Sequence, residues 1–446
     1  MSTNVRTILQ VNARDIGGGA ERVAAGLSER YQSRGLNAYL AVGHASGEDP
    51  DVLLVSTGEG HPKWYRSWRR IADKFGGPVR ALDEFRGIES FHYPATYRLP
   101  DLPPQNPDII HAHNLHGGFF DLRALPWLSR QYPLVLTLHD AWLLSGHCSH
   151  SFDCERWRSG CGSCPDLSIY PEIRRDETAY NWQRKREIYA ESRLFVATPC
   201  NWLMQRVEQS MLAPAIVASK VIPNGVDTTI FKPSDKYAAR KSLHIEPDAR
   251  VLLFVASRMR ENSFKDYETI HAAVRSLVAG ADGSRVLLLA LGDAEESMQV
   301  DTLPARSISF ESDPATVARY YQAADLYLHA ARADSFPLAI LEALACGIPV
   351  IATAVGGIPE QVKSLRADDQ AGRWRGHAEL DATGVLVGPG DSASMADAVN
   401  MLLDNDDLRN QIARNAAINA RSSFDIEHQC DSYLNWYEEI LCPSGA

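Results

Sequence analysis

Short runs of β-branched and other apolar residues alternate along this chain with amphipathic stretches, the pattern of parallel strands covered by helices on both faces. The first run is Thr7–Val11, followed by Ala20–Arg34, where Val23, Ala24, Leu27 and Tyr31 recur at helical spacing and Gly35 stands as a C-cap. Further strands are predicted at Asn37–Val42, Asp108–His113, Leu134–His139 and Leu194–Thr198. A second series starts at Arg250–Ser257 and continues through Arg285–Gly292, Ser307–Phe310, Asp325–His329, Pro349–Thr353 and Gly384–Val387. Pro223-Asn224-Gly225 and the polar stretch Lys232–Pro247 lie between the two series. The expectation is therefore α/β: two doubly wound domains, 1–215 and 216–424. The last pattern, Asp425–Leu441, carries Tyr433, Leu434, Trp436 and Tyr437, more apolar surface than one sheet flank requires. Residues 425–446 are expected to cross back to the first domain.

Residues 45–105 break the rhythm and are read as an insertion. There Trp64, Trp68, Ile71 and Phe75 would form one helical stripe flanked by Arg66, Arg69, Arg70 and Lys74. Such a stripe either packs on its own domain or meets an anionic membrane surface.

Composition narrows the class. A length of 446 residues exceeds one compact core, and a net charge of -11 argues against a general nucleic-acid binder. Apolar runs such as Val286–Leu291 are strand-length, far short of the ~20 residues of a membrane helix. The N-terminus runs into a strand pattern without an apolar signal core, so a cytoplasmic protein with reduced thiols is expected.

Three segments carry candidate chemistry. Gly17-Gly18-Gly19, between strand and helix, would let backbone N–H groups approach an anion, or else makes a tight turn. Ser257-Arg258 and Lys265 would set two cations at the carboxyl edge of a parallel sheet, where a diphosphate binds; alone they would read as surface charges. Asp334 and Glu342, eight residues apart in Asp334-Ser335-Phe336-Pro337-Leu338-Ala339-Ile340-Leu341-Glu342, are read as two acids on nearly one helix face. Both could address one polyhydroxyl ligand. The bland alternative is a dipole-complementing acid plus a solvated glutamate, which the apolar neighbours of Glu342 disfavour.

This acid-x7-acid pattern resembles that of family 4 glycosyltransferases of the GT-B fold. Gly17–Arg22, His139-Asp140, Pro223–Asp227, Arg258 with Lys265, and Pro389-Gly390-Asp391 fall in the order of that family's landmarks. The His111–Asn114 and His139–Pro165 stretches look most like bacterial exopolysaccharide transferases of the colanic-acid type. The resemblance implies two Rossmann-like domains facing across a cleft and retaining transfer from a nucleotide sugar (UDP-, GDP- or similar). It further implies a saccharide acceptor, polyprenyl-diphosphate-linked at the inner membrane face. It gives Glu342 the ribose hydroxyls, and Asp334 the transferred sugar together with the Ser335-Phe336-Pro337-Leu338 turn. Arg258 and Lys265 would hold the leaving diphosphate, and Gly17, Gly18 and Gly19 the phosphate and acceptor. His139 would face the sugar, with Asn224 among the binding landmarks. Asp334 stands where the family commonly has Glu, and Ser257 where a glycine usually precedes the arginine, which leaves sugar identity open. A nucleotide-sugar epimerase of the same architecture is the rival enzyme, and a non-catalytic partner subunit a third reading.

No Asp-x-Asp pair is read in a loop after a strand to hold Mg²⁺ against a diphosphate, so metal-independent catalysis is expected. Cys148, Cys154, Cys161 and Cys164 crowd into 17 positions, with His150 among them and His147 just ahead. They are read either as a structural zinc site, from the Cys161-Gly162-Ser163-Cys164 spacing, or as thiols pinning a loop. Cys200, Cys346, Cys430 and Cys442 are read as packing residues. His111 and His113 are expected on opposite faces of their strand, with His113-Asn114 the pair nearer the site.

Overall fold

The computed structural model describes residues 5–55, 77–255, 262–280, 286–292, 305–368 and 372–442. The chain divides into two compact units, 1–223 with 430–446, and 224–429.

The first unit is built on a sheet of β1 (Thr7–Arg14), β2 (Asn37–His44), β3 (Val52–Leu54), β4 (Ile109–Ala112), β5 (Leu134–Thr137), β6 (Leu194–Thr198) and β7 (Ile216–Val221). Their order is β3-β2-β1-β4-β5-β6-β7, with every neighbouring pair parallel. β4 and β5 are buried at every position, so apart from His111 and Thr137 they read as apolar runs instead of alternating ones. Helix Gly19–Ser33 lays Val23, Ala24, Leu27 and Tyr31 on the sheet. Two strands escaped the sequence pattern. β3 is three residues long inside the irregular segment, and β7 exposes Val217, Ala218 and Ser219 at the sheet edge. Because β7 completes the first sheet, the division falls at 223/224 and not at 215/216.

The second unit carries β8 (Arg250–Val255), β9 (Val286–Leu291), β10 (Ala305–Ile308), β11 (Leu326–His329), β12 (Val350–Thr353) and β13 (Gly384–Val387), in the all-parallel order β10-β9-β8-β11-β12-β13. Leu252, Phe254, Leu288, Leu328, Ile351 and Val385 form its core with Met395, Val399 and Leu402 of helix Ser392–Leu403. In both sheets the strand order reverses beside the first strand, between β1 and β4 and between β8 and β11. Ligands of doubly wound folds bind outside the carboxyl ends of the strands at such points.

The last helix, Ile426–Leu441, supplies polar partners to the first unit from residue 430 onward. Tyr437 OH lies 2.7 Å from His111 Nδ1 and 3.2 Å from Tyr31 OH, and Tyr433 OH lies 2.9 Å from Thr137 Oγ1. All of these groups are buried. Tyr437→Phe should therefore leave His111 and Tyr31 short of a partner and lower stability by about 1–3 kcal/mol. A denaturant midpoint equal to that of the wild type would show the network to be dispensable.

Among the described residues no helix is long and apolar enough to cross a membrane. The stripe expected at Trp64, Trp68, Ile71 and Phe75, with Arg66, Arg69, Arg70 and Lys74, lies outside the described residues. Cys200, Cys346 and Cys430 are buried as expected of packing residues, but Cys442 is exposed.

Candidate active site

In the second unit the site grows from the β8/β11 reversal. His329 ends β11, and the chain after it is stitched to the segment ahead of helix Tyr267–Gly280. Asp266 N–H donates to Ala330 O (3.1 Å), Arg332 N–H donates to Phe264 O (2.8 Å), and Lys265 bridges Ala331. This stitching sets Lys265 against Asp334, with Nζ 2.7 Å from Oδ2. His329 Nε2 stands 3.5 Å from the same oxygen and its Nδ1 3.1 Å from Tyr327 OH. Burial works to raise the Asp334 carboxyl, but Lys265 and His329 outweigh it and hold the group well below the ordinary carboxylate range. Burial first, and then Lys265, pushes His329 down, so the imidazole is neutral at pH 7. A small cavity lined by Phe254, Val255, Lys265, Tyr267, Leu328 and His329 adjoins the pair.

Asp334 itself sits in the loop between β11 and helix Leu338–Ala345. It neither ends the strand nor shares a helix face with Glu342, because the helix starts only at Leu338. The loop is fixed from outside. Gly356, at φ +57°, passes so close that a Cβ would fall 1.8 Å from Asp334 O, and only glycine fits there. Gly357 N–H donates to Ser335 O (3.0 Å), Gln361 Nε2 to Pro337 O (3.0 Å) and Asn224 Nδ2 to Phe336 O (3.4 Å). Asn224 thus acts on the acidic loop through its backbone. Glu342 lies in the second turn of the helix, 3% exposed, and accepts from Tyr321 OH at 2.9 Å. Asp391 of the Pro389-Gly390-Asp391 landmark caps helix Ser392–Leu403 by accepting from Ser394 N–H. Ser257 and Arg258 lie outside the described residues.

In the first unit, Gly17, Gly18 and Gly19 are exposed at the start of helix Gly19–Ser33, with Gly18 as N-cap. None of the three has a positive φ. A side chain on Gly17 would crowd Glu21, whereas one on Gly19 would meet nothing, so its absence leaves the backbone uncovered. Beyond the end of β4, His113 Nδ1 lies 2.9 Å from His139 Nε2, and His113 Nε2 lies 2.8 Å from Gln10 Oε1. Gln10 turns its Nε2 to Ala24 O and Ser28 Oγ, so its oxygen faces His113. His113 then donates from Nε2 and accepts at Nδ1, which leaves the His139 Nδ1 lone pair as an acceptor. Burial pushes His139 down to about 4 and His111 to about 3. Asn114 is half-buried after the strand.

His111 and His113 do not face opposite sides: positions two apart on a strand share a face, and their ring centroids are 4.2 Å apart. His111 is enclosed by Thr137, Tyr433 and Tyr437 and is structural.

The sequence reading missed an ion pair, His116 Nε2 to Asp140 Oδ2 at 2.9 Å, with Trp142 N–H donating to Asp140 Oδ1. Burial opposes the charge on His116, but Asp140 prevails and raises its pKa. The two are 24 positions apart, and only the adjacency of His139 and Asp140 hinted at them.

Two stretches bear on the metal expectations. Among the described residues no group of three or more His, Cys, Asp or Glu side chains is arranged to hold a metal ion. Cys148, Cys154, Cys161 and Cys164 are all half-buried free thiols. Cys161 Sγ accepts from Gly146 N–H, while Cys164 Sγ turns to His147 Nε2 (3.5 Å) and Asp166 O (3.4 Å). Burial pushes the Cys148 and Cys161 thiols up to about 11 and 12, so both stay protonated. An Asp-x-Asp pair does follow a strand, Asp49-Pro50-Asp51, but Asp49 accepts from Asp51 N–H and Asp51 from Gln32. That pair shapes its own turn.

Residues 17–230 match the family model Glycosyltransferase Family 4, and residues 235–418 match Glycosyl transferases group 1. An Escherichia coli (strain K12) protein named as a colanic acid biosynthesis glycosyl transferase, WcaC, is 26% identical over 361 residues, 78% of this chain and 82% of that protein. The D-inositol 3-phosphate glycosyltransferase of Mycobacterium tuberculosis (strain F11) is 26% identical over 432 residues, 92% of this chain and 76% of that one. In fold the chain is similar to sucrose-phosphate synthase (tll1590) from Thermosynechococcus elongatus, with TM-score 0.62, 16% identity, and 98% and 100% of the two chains covered. It is also similar to Anabaena Alr3699/HepE in complex with UDP, with TM-score 0.59, 17% identity, and 96% and 99% covered. With its two halves matched in order by glycosyltransferase models on two Rossmann-like sheets, the chain belongs to the family 4 (group 1) glycosyltransferases of the GT-B fold.

Proposed function

We propose that this glycosyltransferase moves a sugar, with retention, from a nucleoside-diphosphate sugar held by the second unit to a saccharide acceptor in exopolysaccharide or related glycan synthesis. The observation that carries the reading is the Lys265–Asp334 pair beside His329 at the β8/β11 reversal. A departing nucleoside diphosphate gathers negative charge on phosphate oxygens, and a cation fixed beside them stabilises that charge without a proton or a metal. Lys265 fills this role, and Arg258 is assigned to the same diphosphate. Asp334, held ionised, accepts a hydrogen bond from a hydroxyl of the transferred sugar. Its carboxyl is held well below the ordinary range, so it stays ionised across neutral pH. His139, neutral and with a lone pair on Nδ1, contacts the sugar. Gly17, Gly18 and Gly19 admit phosphate or acceptor to the backbone. The similarity to a colanic acid transferase supports the polysaccharide role, and a lipid-linked acceptor would bring the protein to a membrane face.

A thermal-shift screen with UDP, GDP, ADP and dTDP identifies the base, since a ligand of the folded state raises Tm. The structural relative bound to UDP makes UDP the first expectation. Turnover of the cognate donor should release free nucleoside diphosphate and survive EDTA. Appearance of an altered nucleotide sugar would mean epimerisation, and Mg²⁺-restored loss in EDTA would end the metal-free mechanism.

Glu342 is assigned to the ribose hydroxyls. Glu342→Gln keeps an acceptor for Tyr321 OH but removes the charge, and should weaken nucleoside diphosphate binding about tenfold. A calorimetric titration that returns the wild-type Kd would take Glu342 out of the site.

A further inference from the structure

Lys185, on helix Thr178–Ala190, has a side chain with no exposure at all. Its ammonium lies 3.0 Å from Glu89 Oε1 and 2.8 Å from Oε2, 3.0 Å from Trp142 O and 3.1 Å from Ser145 O. An ammonium has three donors, and here all three are committed. The same Nζ stands 3.8 Å from the centroid of the Trp142 ring, and Glu89 Oε1 accepts the indole N–H of Trp142 at 2.9 Å. Glu89 is held in turn by the lysine's own helix: its N–H donates to Asn181 Oδ1 (3.0 Å), and its carbonyl accepts from Arg184 (2.8 Å). Trp142 is thus gripped at its carbonyl, its ring face and its indole nitrogen.

What Trp142 touches next is the His116–Asp140 pair. Its backbone N–H donates to Asp140 Oδ1 at 2.9 Å, and its ring meets the His116 ring edge-on, with centroids 5.5 Å apart. His116 lies just past His113 at the carboxyl end of β4, and Asp140 follows His139. A buried ion pair is a weak source of stability, since apolar residues of similar volume serve as well or better. What such residues cannot do is fix two carbonyls three positions apart by directed bonds.

We propose that Lys185 and Glu89 are positioning residues for the acceptor side of the site, holding Trp142 and through it the His116–Asp140 pair beside His139. The assignment rests on the reading that the first unit receives the acceptor. The charged groups that act on His116 are Asp140 and Glu21, which raise its pKa, and Lys185, which opposes them; burial is the largest influence and also opposes. Release of Trp142 would change the distance to Asp140 and move the His116 titration, and Glu89→Gln, which keeps the Lys185 charge, separates that effect from the direct influence of the charge.

The test uses the full chain with Lys185→Met, Glu89→Gln and the apolar pair Lys185→Met/Glu89→Leu. His116 titration is followed by NMR of labelled imidazoles, with transfer kinetics alongside. The expected result is a shift of the His116 midpoint by about one pH unit or more in every variant. With it should come a loss of at least tenfold in kcat per folded molecule, at nearly unchanged donor KM. The apolar pair should regain thermal stability without regaining the titration. Wild-type titration and kcat in any folded variant, with only Tm lowered, would reduce the pair to a packing element and overturn the proposal. If the single variants fail to fold, the apolar pair alone decides. A shifted titration with no transfer activity in the wild type would instead refute the acceptor reading, while leaving the positioning geometry standing.

Discussion

Replacing Lys265 with alanine should lower kcat for sugar transfer about a hundred- to a thousandfold, with a much smaller change in donor KM. The asymmetry follows from when the charge is needed. In the bound donor the diphosphate charge is shared with the sugar linkage, whereas at the transition state it concentrates on the departing oxygen, where Lys265 would stand. The variant carries a second cost. Asp334 is only 19% exposed and loses its nearest cation, so burial would then raise its pKa toward the ordinary range or beyond. Stability should drop as well, by about 3 kcal/mol or less given the partial exposure of the pair. Kinetics must therefore be measured well below the variant's Tm. A kcat within threefold of wild type would remove Lys265 from the leaving-group site.

Mild acid should destabilise the first unit long before its carboxylates titrate. His111 and His139 are held near 3 and 4 by burial, and His113 well below its usual value by burial and the two neighbouring rings. In the unfolded chain each returns to about 6.5. The unfolded state then binds more protons than the native one, so stability rises with pH. The full stability is present above about pH 6.5 and is lost as pH falls toward the folded values. Each histidine contributes up to about 1.4 kcal/mol per pH unit. Asp334, whose pKa is depressed, acts in the same direction but only below about pH 4. Unfolding temperatures followed from pH 8 to pH 5 should fall steeply below 6.5, and His113→Gln should flatten that slope. A wild-type Tm that is level from pH 7 to pH 5 would contradict the buried neutral cluster.

Much of this was legible in the chain. Strands buried on both faces, such as β5, β12 and β13, announce themselves as continuous apolar runs, and the acid-x7-acid segment stands out because Glu342 sits among apolar neighbours. What escaped has physical causes. β7 is an edge strand with three exposed positions, so it lacks a hydrophobic rhythm. Asp334 was given to a helix because spacing along the sequence does not reveal where the first turn starts. Lys185 lies in Arg184-Lys185-Arg186-Glu187, a run that reads as a solvated face, and its burial depends on Glu89 almost a hundred positions away. The cysteine cluster has metal-like spacing, but its thiols are turned to separate partners.

The last helix gives the protein an unusual order of completion. A ribosome releases the N-terminal half first, and domains ordinarily fold as they emerge. Here Tyr31, His111 and Thr137 each obtain one hydroxyl partner from Tyr433 or Tyr437, nearly three hundred residues beyond Thr137. The first-made domain is consequently the last to be finished. Throughout synthesis of the second it waits with buried polar groups unmet, and a nascent chain stalled before residue 430 presents a target for chaperones and proteases that the released protein does not.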